Sequence, residues 1–307
     1  MKIISFITTF IFIIFLSFFA FFVYQNKEKI LIELDGFMNE RQTNTIDNRN
    51  EYYRNYDFNF VKNTNDYVPY NNQDIINIYY SVINSGIDNF TFYCPKEYKN
   101  CIKDVKRIST DQVMLSDINN FVHPFNGFSH IEIEYDNIGR VTLKVNKSYS
   151  EDEILKIEEK VDLLYNSLVN TTLSDRENIL KIHDYIINNV KYDSNRSDRE
   201  IKNYKSDIAY GPLFEGYALC GGYTDLMALF LEKLNIKNYK ISSDKHVWNA
   251  VYINNEWLHL DLTWDDPVSK DNKDHLEHDY FLINDNELLN KEKNEHTYDI
   301  NVYSEFK

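Results

Sequence analysis

Glycine and proline are scarce, 8 and 5 in 307 residues, which excludes collagen-like, elastic and Pro/Gly-rich disordered chains. Cysteine is scarcer still. Three thiols, Cys94, Cys101 and Cys220, are too few for a disulfide-stapled miniprotein or a four-cysteine zinc site. Basic residues are outnumbered, 33 Lys plus Arg against 48 Asp plus Glu, and the net charge of -15 repels phosphate backbones. Nucleic acid is not an expected partner. No Gly follows Met1 and no Cys precedes Cys94, so the common lipid-attachment routes are closed. Internal repeats and calcium-loop spacings are also missing. What is plentiful is apolar and aromatic: 43% hydrophobic residues, with 24 Tyr and 20 Phe, at a length that suits one or two globular domains with a sizeable core.

One apolar run stands apart. Residues 3–24, IISFITTFIFIIFLSFFAFFVY, carry no charge, and a helix of that length, rising about 1.5 Å per residue, crosses a hydrocarbon core of about 30 Å. A cleaved signal peptide has a shorter apolar region, roughly 7–15 residues, and a small residue two places before the cut, where Phe18 precedes Ala20 here. We therefore expect an uncleaved transmembrane anchor over residues 1–24. Lys2 flanks one end and Lys27 and Lys29 the other, so charge does not set the orientation. The short leading segment favours residues 25–307 outside the cytoplasm. Residues 25–70, polar and Asn-rich, read as a stalk. Six residues separate Cys94 from Cys101 in FYCPKEYKNC, a spacing that closes a small disulfide loop in an oxidising compartment; two half-buried thiols are the other reading.

Beyond the stalk, residues 71–149 read as a small mixed α/β module. Ile75, Ile76, Ile78, Tyr79, Val82 and Ile83 recur at helical spacing and stop before Gly86. A strand is expected at residues 90–94, and a hairpin at 131–135 and 141–145, turned by Asp136-Asn137-Ile138-Gly139. Residues 150–307 open with two capping boxes, Ser150 with Glu153 and Ser174 with Glu177, each leading an amphipathic helix. A third helix starts near Cys220. Short strands follow at residues 239–242, 246–253, 256–263 and 280–283. Helices first and an antiparallel sheet afterwards is an α+β plan.

The chemistry concentrates in that last domain. Cys220, in GYALCGGYTDLMALF, falls on the first turn of an apolar helix, where the helix dipole favours thiolate, and Gly221 and Gly222 permit close approach. Asn254-Asn255 suits a two-residue hairpin turn, so Ile253 faces Glu256 and Trp248 faces Asp261. Alternation then puts His246, Trp248, Trp257, His259 and Asp261 on one face, with His246 diagonal to Asp261 and within reach. Nucleophile, base and orienting carboxylate are the set needed to attack an amide and protonate its nitrogen. The three Trp in this stretch, Trp248, Trp257 and Trp264, suit either core or cleft walls. His183, beside Asp184 on a helix, reads as structural, and Asp265 and Asp266 before Pro267 as turn caps. Cys220, His246, His259 and Asp261 are permissible zinc ligands, but no compact ligand spacing appears, and neither a metal nor a cofactor is expected.

The order Cys220, His246, Asp261 in G-Y-A-L-C-G-G-Y, H-V-W-N and L-D-L-T-W-D-D-P resembles the transglutaminase-like superfamily, and K-I-H-D-Y-I-I-N-N-V-K-Y-D at 181–193 resembles the helix before the Cys in bacterial members. The resemblance covers about residues 174–285. It implies a papain-like core, a Cys-bearing helix packed on an antiparallel sheet, with Cys220 as nucleophile, His246 as base and acid, and Asp261 fixing the imidazole. The Cys220 backbone N–H would be one oxyanion donor, with Tyr210 or Tyr217 as the other. Peptides or proteins are the implied substrates. Relatives include crosslinkers, peptidases, amidases and silent members, so the reaction stays open between hydrolysis, transamidation and binding alone.

Overall fold

The computed structural model describes residues 2–39, 45–136, 139–267, 275–291 and 295–307. The apolar amino-terminal run forms one continuous helix, α1 (Lys2–Gln25), followed by α2 (Lys27–Asn39). The large apolar side chains of α1 described from Ile11 to Tyr24 are exposed. Over the residues whose side chains are described, no helix is long and apolar enough to cross a membrane.

Residues 45–70 do not stand off as a stalk. Phe58, Val61 and Tyr67 are buried, and Phe58 packs against Phe121 and Tyr239 with ring centroids 4.9 and 5.3 Å apart. Arg54, 4% exposed, donates to Glu232 at 2.6 Å, to Phe121 O at 3.0 Å and to Asn238 Oδ1 at 3.2 Å. The sequence hid this because the Asn and Asp side chains that make the segment look soluble bond its own backbone: Asp57 Oδ1 accepts from Asn63 N, and Asn63 Nδ2 donates to Arg54 O. A polar strap of this kind needs few apolar anchors to hold it.

The middle of the chain gives α3 (Asn72–Asn84), β1 (Asn89–Tyr93), α4 (Cys101–Thr110), α5 (Gln112–Asn120), β2 (Phe128–Tyr135) and β3 (Arg140–Lys147). Asn71 and Asp74 form the capping box that starts α3. The strands pair antiparallel in the order β1-β3-β2. Asn137 and Ile138 of the expected turn lie outside the described residues. Cys94 and Cys101 are joined as a disulfide, Cα to Cα 5.6 Å, which ties the end of β1 to the first residue of α4. Neither α4 nor α5 was anticipated; α4 has no side-chain cap to announce it, and α5 has only nine residues.

The carboxyl-terminal half begins with α6 (Glu151–Leu168) and α7 (Asp175–Asn189), both opened by the expected capping boxes. A two-residue parallel pair, β4 (Lys191–Tyr192) with β5 (Tyr217–Ala218), brackets α8 (Ser194–Arg199). Then come α9 (Cys220–Lys233) and an antiparallel sheet of β6 (Asn238–Ser242), β7 (Val247–Ile253) and β8 (Glu256–Leu260). The β7–β8 turn has Asn254 and Asn255 both at positive φ, 54° and 65°, and pairs Ile253 with Glu256. The strand expected at 280–283 is reduced to one bridge, His259 to Ile283, because Leu282 turns to φ 51°. A last helix, α10 (Asp285–Asn290), precedes the tail.

This sheet is covered on both sides. Val251, Ile253, Leu258 and Leu260 face α9, which rests in turn on Ile157, Val161, Ile179 and Ile186 of α6 and α7. Tyr239, Ile241, Trp248 and Ala250 share a core with α3, α4, Phe58 and Tyr303. The hydrophobic core of the module at 71–149 is therefore continuous with the back of the sheet, which the module covers. Deleting a side chain in a true stalk changes stability by no more than about 0.5 kcal/mol, whereas a packed Phe costs about 3–5 kcal/mol. Phe58→Ala is expected to fall in the second range by denaturant unfolding, and a change within the first would return residues 45–70 to a stalk.

Candidate active site

Cys220 is the first residue of α9, half-buried, with Leu219 in extended conformation before it. The two glycines that follow admit backbone. A Cβ on Gly221 would stand 2.6 Å from Asp207 O, and one on Gly222 2.3 Å from Ser206 O. Leu219 N donates to that same Ser206 O at 2.8 Å. The chain at 206–207 thus clamps the turn that carries the thiol. Thr224 Oγ1, one turn into the helix, lies 2.7 Å from Cys220 O and 3.0 Å from Val247 O, which fixes the start of α9 against the start of β7.

His246 immediately precedes β7 and is 6% exposed. Its Nε2 lies 2.5 Å from Asp261 Oδ2, and the Trp248 ring stacks on it at 5.6 Å with planes 16° apart. With Nε2 committed to the carboxylate, Nδ1 is the nitrogen left for Cys220, whose sulfur lies near enough to act on the proton affinity of the ring. Burial opposes the imidazolium, but the Asp261 charge and hydrogen bond, with Cys220 adding to them, outweigh it and push His246 up to about 10. Asp261 is 2% exposed and sits one residue beyond β8. Burial alone would raise its carboxyl; its histidine partners instead hold it well below the usual carboxylate range.

The second of those partners is a residue the sequence did not point to. His296 Nε2 lies 2.9 Å from the same Asp261 Oδ2, while Oδ1 accepts from the backbone N–H of Thr263 at 3.0 Å and of Trp264 at 3.3 Å. His296 is 2% exposed, stacked on Tyr280 at 5.0 Å and edge-on to Trp248 at 4.9 Å, with Trp264 at 5.2 Å. It lies in the irregular tail, where no periodicity marks a position. Trp248 and Trp264 accordingly serve as walls around the histidines.

The remaining expectations come out differently. His259 is buried and shares the sheet with His246, yet its Nδ1 accepts from Trp248 Nε1 at 3.1 Å, its ring stacks on Phe306 at 4.1 Å, and Nε2 faces Asp285 at 3.6 Å. It is turned away from Asp261 and does not complete a four-ligand set with Cys220. Tyr210 packs on Phe214 under Lys205, and Tyr217 stacks on Tyr204 at 4.2 Å. Among the described residues neither phenol is hydrogen-bonded to the Cys220 turn. Tyr192, in β4, is the tyrosine whose phenol senses the Cys220 sulfur; burial first, then Cys220 and Glu295, raise it. A groove of about 650 Å³ runs beside the thiol turn past Gly221 and Val247. Its cations are paired within the wall, Lys240 with Asp225 at 2.9 Å, Lys205 with Glu153 and Arg196 with Asp207, so it presents mixed polar chemistry rather than one sign of charge.

Residues 164–262 match the family description of the transglutaminase-like superfamily. That stretch holds the Cys-bearing helix, the antiparallel sheet and all three triad residues; the chain carries a transglutaminase-like core. Two solved structures show weaker likeness: a TGase at 14% identity and TM-score 0.33, over 45% of this chain and 45% of that one, and a candidate cysteine protease from Cytophaga hutchinsonii at 18% identity and TM-score 0.28, over 44% of this chain and 61% of that one. The chain thus spans less than two thirds of either. No curated protein matches it.

Two outcomes test the site. Cys220 should be alkylated near neutral pH faster in the native chain than in the unfolded one, since it starts α9 beside the His246 ring, the placement of an assisted nucleophile; slower native labelling would mean no activation. The His246–Asp261 pair also has a pH signature. His246 binds its proton more tightly folded, so its contribution to stability is complete below about 6.5 and lost as pH rises through about 10, while that of Asp261 is complete above about 3.8 and lost as pH falls below it. The stability gap between the protein and Asp261→Asn should be widest between these two limits and shrink toward pH 10; a gap that widens with alkali would rule the pairing out.

Proposed function

We propose that this protein is a thiol-dependent amide-bond enzyme of the transglutaminase-like class that acts on peptides or proteins, with water as the principal acceptor. The observation that carries this reading is the convergence of a helix-start Cys220, His246 and a carboxylate, Asp261, that is itself held by His296. In the first half-reaction the Cys220 thiolate attacks the amide carbonyl carbon, and the oxyanion forms beside the Cys220 backbone N–H. The His246 imidazolium gives its proton to the departing nitrogen as the C–N bond breaks, leaving a thioester and a free amine. His246, now neutral, takes a proton from water as its oxygen attacks the thioester. The C–S bond breaks, releasing the carboxylic acid and restoring the thiolate–imidazolium pair. Water is the default acceptor, because amine transfer requires a channel that excludes it.

We place this reaction outside the cytoplasm on a chain anchored by α1. In favour are the twenty-two uncharged residues at 3–24 and the Cys94–Cys101 bridge, a bond that persists in oxidising compartments.

A single-turnover experiment on the full chain, with a peptide library and mass spectrometry, tests the chemistry. An acyl group is expected on Cys220, discharged mainly to acid. Dominant amide product at millimolar primary amine would make the protein a transamidase, and no acyl-enzyme on any amide, with Cys220 still alkylated, would make it a binding module. In the same assay Asp261→Asn should lower turnover by about 10³–10⁴, while His259→Ala changes it little. Loss of activity in His259→Ala but not in His246→Ala would reverse their assignments.

A further inference from the structure

Behind the catalytic residues, three elements bring a second set of imidazoles to one carboxylate. Asp184 Oδ1, on α7, lies 2.9 Å from His183 Nδ1 and 2.8 Å from His278 Nε2. His183 Nε2 lies 3.1 Å from Asp265 Oδ2. His183 and Asp265 are fully buried, whereas the side chains of Asp184 and His278 are 34% and 44% exposed. The cluster therefore opens to solvent on one side only.

The hydrogen bookkeeping of His183 is the telling feature. Each ring nitrogen faces a carboxylate oxygen, and carboxylates only accept. A neutral imidazole carries one N–H and one lone pair, so one of the two contacts would set a lone pair against a carboxylate. A cation on the Asp184 side removes the conflict. Nδ1 of His183 and Nε2 of His278 then offer lone pairs, Asp184 offers an oxygen, and His183 Nε2–H donates to Asp265. That last contact is the carboxylate–histidine–metal relay, and Asp265 is held for it, its Oδ1 accepting from Tyr280 N at 2.8 Å.

We infer that His183, Asp184 and His278 form a binding site for a borderline divalent cation of the zinc type, with a fourth, solvent-facing position for water. Two nitrogens among three ligands disfavour calcium and magnesium. The three ligand atoms lie within 4.8 Å of one another; tetrahedral bonds of about 2.1 Å set ligands roughly 3.4 Å apart, so the part-exposed Asp184 and His278 side chains shift to seat the ion. Residues 183 and 278 are too distant in sequence for any ligand spacing to announce the site. Asp265 N donates to Asp261 O at 3.2 Å, and Glu277 N to Asp265 O at 2.9 Å. A bound ion would thus clip α7 to the loop that carries the triad carboxylate, bracing the catalytic site without entering the reaction.

The test is a metal titration of the full chain in detergent micelles, purified without a histidine tag, stripped with chelator and carrying Cys220→Ser to remove the thiolate. One Co²⁺ per chain is expected, with the weak visible bands of nitrogen and oxygen coordination and displacement by Zn²⁺. His278→Ala, a change at an exposed side chain, should abolish it, and Asp265→Asn should weaken it about 10–100-fold. If Co²⁺ does not saturate at millimolar concentration, or binds His278→Ala equally well, the proposal fails and His183 is instead an imidazolium clamped between two carboxylates.

Discussion

Asp261 is a buried carboxylate, and a buried charge is tolerated only when its oxygens are filled with donors. Here four converge: two imidazoles on Oδ2 and two backbone N–H groups on Oδ1. Each fixes a different part of the molecule. His246 ties the carboxylate to β7 and through it to the thiol, Thr263 and Trp264 set the turn out of β8, and His296 draws the tail across the sheet. Remove the charge and those parts have no common point to meet. The same charge raises the proton affinity of His246 beside Cys220, so one desolvated anion both organises the fold locally and sets the state of the imidazole next to the thiol.

A site built on that carboxylate needs a stiff floor, and the three-stranded sheet supplies one by being buried on both faces. Helix α9 and its supports cover one face; the strap at 45–70, the module at 71–149 and the tail cover the other. Arg54 joins these covers, since its guanidinium meets Glu232 of α9, the Phe121 carbonyl after α5 and Asn238 at the start of β6. Its charge is satisfied only when all three are in place. The close approach of the 206–207 backbone to Gly221 and Gly222 adds a steric lock at the nucleophile turn, because a methyl group at either glycine would overlap a carbonyl oxygen.

Much of the site was legible from local rules. Capping boxes placed α6 and α7, the apolar run after Cys220 placed α9, and Asn254-Asn255, which enters positive φ more readily than most residues, set the hairpin register that brings His246 to Asp261. Each signal depends on residues within a few positions of one another, where hydrogen-bond geometry allows few alternatives. His296, Tyr192 and the contacts of Arg54 gave no such signal. They stand in irregular or very short segments, and their partners lie 35 residues away for His296 and 178 for Arg54.

The sequence by itself determined helices α3, α6, α7 and α9 and the register of β7 against β8, which brings His246 to Asp261, because periodicity, capping and turn chemistry act along the chain. Tertiary structure decided where His259 points: His246 and His259 alternate onto the same side of the sheet, and the packing of Trp248, Phe306 and Asp285 turns His259 away from Asp261. It also decided that residues 45–70 pack as a strap rather than hang as a stalk, and that a tail histidine shares the Asp261 carboxylate with His246. Those outcomes depend on which groups can satisfy a buried charge or fill an apolar face once the chain has closed on itself, and such choices are made among residues that are neighbours in space alone.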